Sequence, residues 1–202
     1  MASTIPVAPY QTTNAQHSFL LQTDGFVAGT FLDNPAFRYT LEGGVVSSSQ
    51  STALYGGLPV TLDVPATGAG GSSSGLGSTI LAATAETNID AFCVFNQASA
   101  GVITASSNVP LYPSNTSANF VRLGSGLWLV LPVNPTAVNT IAGGGANQAI
   151  YWNFVSNYVD VTGTGALGLQ IVAVNTNSKI VSYNSGTGEA NWTTGSVVIV
   201  RV

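Results

Sequence analysis

The amino-acid sequence predicts an all-β fold, namely an antiparallel β-sandwich or jelly-roll-like domain with an extended N-terminal arm. Three observations predict it. About ten short segments are rich in β-branched and aromatic residues, turn-forming residues separate them, and no stretch of about 12 residues keeps a helical period. The chain has 202 residues, which suits one domain with a sizeable core. We therefore expect an arm over residues 1–25 and a single β-rich domain over residues 26–202.

The predicted strands follow the arm in chain order. The first clear one is PVTLDV, in which Val60, Leu62 and Val64 lie on one face and Thr61 and Asp63 on the other. This alternation is typical of a half-buried strand. The later strand candidates are IDAFCVF, NFVRL, GLWLVLPV, AIYWNFV, YVDVT, LGLQIVAV, KIVSY and SVVIVRV.

The segment GLWLVLPV is apolar on both faces, because Leu127, Leu129 and Leu131 alternate with Trp128 and Val130. We expect this strand to be covered on both sides, by a second sheet or by a partner chain. The best helix candidate is ILAATAETNIDA, but its threonines and its place between strands predict at most a short helix.

The glycine-rich segments are predicted to turn the chain rather than to bind a ligand. Residues 66–79, ATGAGGSSSGLGST, are predicted to form a mobile Gly/Ser loop or hinge. Residues 184–189, NSGTGE, lack the spacing of a dinucleotide fingerprint and the lysine of a phosphate loop, and strand candidates flank them. A hairpin turn is the simpler interpretation, and we interpret AGGGANQ (142–148) in the same way.

The composition argues against several classes of partner. Charged residues make up 6% of the chain, against about 25% in typical soluble proteins, and the net charge is −4. The four cations, Arg38, Arg122, Lys179 and Arg201, are scattered, whereas nucleic-acid binding needs clustered ones. No apolar run approaches the roughly 18 residues of a membrane span, and no signal-peptide pattern is present. We expect neither a nucleic-acid nor a membrane partner, and so weakly charged a surface suits an ordered array of copies.

The acidic residues are dispersed along the chain. Glu86 and Asp90 lie four residues apart and would share a helical face, but nothing further in the sequence supports a glycosidase pair. A pair that assembles from distant loops, as in a β-fold enzyme acting on cell-wall polymer, stays an open alternative. The eight carboxylates are Asp24, Asp33, Glu42, Asp63, Glu86, Asp90, Asp160 and Glu189.

The chain also has few residues that could serve in nucleophilic catalysis or bind a metal ion. The one histidine, His17, lies in the predicted arm, which cannot hold a catalytic geometry. The one cysteine, Cys93, lies in an apolar segment and is predicted to be a buried inert thiol. Calcium could bind Asp63 or Asp160 together with carbonyl groups, but no loop has the DxDxDG pattern. We therefore predict no catalytic residue, no metal site and no cofactor.

The aromatic residues offer a second kind of chemistry, because exposed rings can stack on sugars. We expect Trp128 and Trp152 to lie in the core, since both are in strongly apolar segments. Trp192 has the polar neighbours Asn191 and Thr193, so it is the candidate for an exposed glycan contact. The remaining members of this aromatic set are Tyr151, Phe154, Tyr158 and Tyr183.

Six segments, taken in their order along the chain, carry a resemblance to a known group of proteins: LDNPAFRY, LEGGV, LYGGLPV, AFCVFNQA, FVRLGSGLWLVL and NSKIVSYNSGTGEANW. By their order, from about Gly25 to the C-terminus, the chain resembles a group of tailed-bacteriophage virion structural proteins, the head decoration or cement proteins. None of the segments is a catalytic signature.

The resemblance implies a non-enzymatic protein on the outer surface of the capsid that bridges major capsid protein subunits, often as a homotrimer. Assembly in the host cytoplasm fits a single unpaired cysteine. Among the candidate contacts, Arg38 suits a salt bridge to an acidic capsid residue, although the aromatic candidates could instead pack into their own domain. The alternative function is a receptor- or carbohydrate-binding module of a phage tail or fibre, with Trp192 as its contact. The capsid-contact candidates are Phe26, Phe31, Pro35, Phe37, Arg38 and Tyr39.

Overall fold

The computed structural model describes residues 27–30, 42–63, 78–95 and 107–202. Within these ranges the regular structure is ten β-strands, one α-helix (α1, Val138–Gly144) and one 3-10 helix (Glu86–Asn88), so the predicted all-β class is confirmed. The strands are β1 Glu42–Val46, β2 Pro59–Asp63, β3 Ser78–Ala82, β4 Ala91–Val94, β5 Ser117–Arg122, β6 Trp128–Val133, β7 Tyr151–Asn153, β8 Tyr158–Asp160, β9 Gln170–Asn184 and β10 Glu189–Arg201.

The first five strands close into a barrel in the order β1-β3-β2-β4-β5, with β5 pairing back onto β1. In β2, Val60 and Leu62 are buried while Asp63 is exposed, which confirms the predicted alternation as far as Asp63; Val64 lies outside the described residues. Strands β1 and β3 are parallel, because the chain reverses between β1 and β2 and again between β2 and β3. The expectation of a purely antiparallel domain is therefore wrong for this pair.

The last five strands form a second sheet in the order β7-β8-β6-β10-β9. Its ladders are antiparallel, except that β6 and β8 pair in parallel at Val133 and Val159. The segments LGLQIVAV and KIVSY, predicted as two strands, both contribute to one 15-residue strand, β9, which begins at Gln170 within the first segment. Its polar middle is held in extended form because nearly all of β9 pairs with β10.

The loop between β9 and β10 is the predicted hairpin turn. The Asn184 side-chain oxygen accepts hydrogen bonds from the amides of Gly186 (2.9 Å) and Thr187 (3.3 Å). Gly188 supplies a positive φ of 73°, and its amide donates to the Asn184 carbonyl at 2.8 Å. The glycines of this loop therefore turn the chain, and the donors that a phosphate would need are used within the turn.

The turn interpretation of residues 142–148 is wrong for its first three residues, which form the end of α1. Burial of Val138 and Ile141 holds this short helix in place, and Gly145 follows it with a φ of 74°. Such a glycine commonly ends a helix. The stretch ILAATAETNIDA contains the last three residues of β3 and the short 3-10 helix, which agrees with the prediction of at most a short helix.

The main hydrophobic core joins the barrel to the second sheet, as the edge-to-face contact between Phe92 of β4 and Trp152 of β7 illustrates (ring centroids 5.8 Å apart). A second, smaller cluster lies on the opposite face of the sheet and consists of Ala28, Val130, Ile180, Val197 and Ile199. The strand β6 is therefore buried on both faces over most of its length, by its own chain.

Candidate functional site

The open face of the second sheet carries the most distinctive exposed residues of the described structure. Trp128 of β6 lies directly opposite Arg201 of β10, which in turn lies opposite Gln170 of β9. Residues directly opposite one another point to the same side of a sheet, and all three are exposed. Trp128 has 43% of its surface exposed, an unusual value for so large an apolar side chain. The adjacent row, Leu129, Val200 and Ile171, is buried on the other face.

A β-bulge adds a further apolar group to this region. Ile199 pairs with Ala173 and Val200 pairs with Ile171, so Val172 is an extra residue between the two pairs. Bulges locally bend a strand and re-aim its side chains. Val172 is 41% exposed. We name the surface formed by Trp128, Arg201, Gln170 and Val172 the outer sheet face.

The neighbouring part of the same side of the sheet is covered by segment 27–30. The Ala28 amide donates to the Lys179 carbonyl at 2.8 Å, and the Val130 amide donates to the Thr30 carbonyl at 2.8 Å. The segment buries the second hydrophobic cluster, in which Val130 belongs to the same side of β6 as Trp128. The outer sheet face is thus the part of this side that segment 27–30 leaves open.

Arg201 gives the outer sheet face a positive charge, and no described residue forms an ion pair with it. Among the described residues the one ion pair joins Arg122 Nε to Glu42 Oε1 at 2.7 Å, between β5 and β1 of the barrel. The Arg201 guanidinium lies beside Gly126, where an added Cβ would be 3.7 Å from its terminal nitrogen. A carboxylate supplied by a partner could therefore pair with Arg201.

The six capsid-contact candidates Phe26, Phe31, Pro35, Phe37, Arg38 and Tyr39 all lie outside the described residues. Phe26 and Phe31 are the covalent neighbours of segment 27–30, whose main chain is fixed on the same side of the sheet as the outer sheet face.

Two of the three tryptophans, Trp128 and Trp192, do not lie where the sequence suggested. Trp152 is 3% exposed, as expected for a core residue, but the expectation that Trp128 lies in the core is wrong. Trp128 begins β6, beyond the cover that segment 27–30 provides. Trp192 is half-buried, with its ring edge-to-face against Phe95 at a centroid distance of 5.2 Å. The alternation of tryptophan with leucine in GLWLVL was the signal that could have placed Trp128 on the outer side.

Glu86 and Asp90, the two carboxylates that lie four residues apart in the sequence, serve local structure. Glu86 Oε2 accepts hydrogen bonds from the Thr164 hydroxyl (2.7 Å) and the Gly165 amide, which fastens the loop after β8 to the barrel. Asp90 Oδ2 accepts from the Leu62 amide of β2 at 2.9 Å. The described ranges contain no group of three or more His, Cys, Asp or Glu residues that could hold a metal ion.

Cys93 is buried in β4, as predicted. Burial raises the pKa of its thiol to about 12, so the thiol stays protonated and is a poor nucleophile at neutral pH.

Comparisons of the chain with protein-family models, with curated proteins and with solved structures gave no match. In the part of the chain that the structure describes, no helix is long and apolar enough to cross a membrane.

Proposed function

We propose that this protein is a non-enzymatic phage virion structural protein that binds the assembled capsid and bridges major capsid protein subunits on its outer surface. The observation that supports docking most directly is the outer sheet face, which presents an exposed tryptophan beside an arginine that has no ion-pair partner among the described residues. Trp and Arg are among the residues that most often dominate binding energy at protein interfaces. An acidic residue on a capsid subunit would complement Arg201.

The weak charge of the chain favours action in an array of copies. Only 6% of residues are charged, so neighbouring copies repel one another little. We propose a homotrimer, because linked contacts raise effective affinity by about 10²–10⁴ even when each contact is modest. A ligand that binds only the assembled shell stabilises it against disassembly. We also propose that the fold is sandwich-like or jelly-roll-like, because the barrel and the second sheet share one hydrophobic core.

The test measures occupancy of the protein on capsids that were purified without it. We expect Trp128→Ala to weaken binding by about thirtyfold, since a hot-spot truncation costs at least about 2 kcal/mol. The matched control is Val45→Ala, which shortens another exposed apolar residue (49% exposed) on the barrel strand β1. Equal occupancy of wild type and both variants would refute the role of the outer sheet face.

A cryo-EM reconstruction of virions with and without the protein tests its location. We expect density to disappear at local three-fold positions of the head. Density that disappears only at the tail or a fibre would instead support the alternative function, a receptor- or carbohydrate-binding module. That alternative no longer has Trp192 as a freely exposed contact, because Phe95 packs against its ring.

A further inference from the structure

A cleft of about 340 Å³ opens between the barrel and the turn that joins β7 to β8. We propose that this cleft binds the ring of a neutral sugar, a function separate from capsid attachment. Its volume lies at the lower end of the roughly 300–1,000 Å³ of small-molecule sites, which suits a ligand of one or two rings. The lining residues that carry the argument are Thr52, Tyr55, Thr84, Phe154, Asn157 and Tyr183.

Three aromatic rings, together with aliphatic side chains such as Leu58 and Pro59, form the apolar part of the cleft. The rings of Tyr55 and Tyr183 lie 5.5 Å apart, tilted by 38°. Tyr55 is 5% exposed and forms the base, while Tyr183 and Phe154 are half-buried and keep part of their surface open. A pyranose ring has one face of C–H groups, which packs against an aromatic side chain as other apolar surfaces do.

The polar groups of the cleft select a ligand that both donates and accepts hydrogen bonds. The Asn157 side chain lines the cleft, and the Thr52 hydroxyl accepts a hydrogen bond from the Gln50 side-chain amide at 3.0 Å, which leaves the hydroxyl proton of Thr52 to donate. Hydroxyl and amide groups can act in both directions, and sugar hydroxyls match that capacity. None of the described residues that line the cleft is charged, so the ligand is neutral.

A proline-rich peptide, the other common occupant of aromatic clefts, fits less well. Proline carbonyls only accept hydrogen bonds, so the accepting capacity of Thr84 and Asn157 would be left unused.

The turn that carries Phe154 and Asn157 is fixed before any ligand binds. The Asn153 side-chain oxygen accepts hydrogen bonds from the amides of Val155 (3.0 Å) and Ser156 (3.1 Å). The Asn157 amide donates to the Asn153 carbonyl at 2.8 Å. Asn157 itself has a φ of 56°, a left-handed conformation that non-glycine residues adopt at a cost and that is enriched at binding sites. A fixed turn lowers the entropy lost on binding.

Saturation-transfer NMR tests the proposal with methyl glycosides of glucose, galactose and mannose and with N-acetylglucosamine, each at millimolar concentration. The key variant is Asn157→Gly, because glycine keeps the left-handed φ and removes only the amide side chain. The matched control is Asn115→Gly. Asn115 is another asparagine with a left-handed φ (62°), it lies in the turn before β5, and it does not line the cleft.

We expect at least one sugar to receive saturation from wild type and from Asn115→Gly. The affinity of Asn157→Gly for that sugar should be about fivefold lower, because the variant loses one hydrogen bond to the ligand. A second variant, Phe154→Ala, should lower the affinity further. The proposal is overturned if no sugar receives saturation from wild type, or if both glycine variants bind like wild type. A signal from a pentaproline peptide without any from sugars would also overturn it.

Discussion

At the scale of single residues, Gly29 determines how closely segment 27–30 approaches the barrel. It has a φ of 84°, and a Cβ at this position would overlap the backbone of Gly56. The close approach lets the Gly29 carbonyl accept from the Phe95 amide at 2.9 Å while its own amide donates to Val130 at 2.7 Å. Gly29 therefore joins segment 27–30 to both the barrel and the second sheet.

We predict that Gly29→Ala lowers the free energy of unfolding by more than about 3 kcal/mol, because backbone strain and steric overlap add together. The matched control is Gly188→Ala in the hairpin loop, which has a similar φ of 73° but no atom within 4 Å of an added Cβ. The free energy of unfolding of that variant should fall by only about 1–2 kcal/mol, because the alanine adds backbone strain without steric overlap. Urea unfolding of both variants measures the difference, and equal losses would contradict the packing argument.

At the scale of elements, segment 27–30 is part of the folded domain and directly follows the predicted arm. Val27 and Ala28 are each 1% exposed, and the segment covers the second hydrophobic cluster. We predict that deletion of residues 1–25 leaves the free energy of unfolding within about 1 kcal/mol of wild type while abolishing capsid binding. Deletion of residues 1–30 should cost about 3–5 kcal/mol more, because it exposes the cluster.

Urea unfolding and capsid occupancy, measured on both deletions, check this prediction. Two results would count against it: a loss of stability in the shorter deletion as large as in the longer one, or full occupancy of capsids by the shorter deletion.

The sequence predicted those elements whose pattern is local. The alternation in β2 and the apolar runs of β4, β6 and β10 identify strands without knowledge of their partners. The polar middle of β9 resembles a loop, because its extended form depends on pairing with β10. Helix α1 was missed since two buried side chains hold it, against a run of glycines with low helix propensity.

The sequence predicts the candidate sites less well than it predicts the strands. Both faces of β6 are apolar in sequence, and the exposure of Trp128 depends on where segment 27–30 stops covering the sheet. The cleft combines residues before β2, at the end of β3, between β7 and β8, and in β9. The alternation in β6 separates Trp128 from the leucines but does not show which side of the strand is left open, and the cleft does not follow from spacing along the chain at all, because both depend on contacts between distant elements.

At the scale of the whole molecule, two buried acids link stability to alkaline pH. Burial raises the pKa of Cys93 from its ordinary value of 9.0 to about 12. Burial and, less strongly, the neighbouring Tyr183 also raise the pKa of Tyr55 above its ordinary value of 10.0. Both groups therefore bind their protons more tightly in the folded state than in the unfolded state. Their contribution to stability is complete below the unfolded pKa values and is lost as the pH rises above them.

We predict that the free energy of unfolding is insensitive to these groups below about pH 8 and falls by about 1.4 kcal/mol per pH unit from Cys93 above its unfolded pKa of 9.0. Above pH 10, ionisation of Tyr55 in the unfolded state steepens the fall. Urea unfolding between pH 8 and pH 11 measures the slope, and Cys93→Ala removes the first part of it while Tyr55→Phe removes the second. An identical pH slope in wild type and Cys93→Ala would mean that the thiol ionises as readily in the folded protein as in the unfolded chain, so that burial in β4 does not protect it.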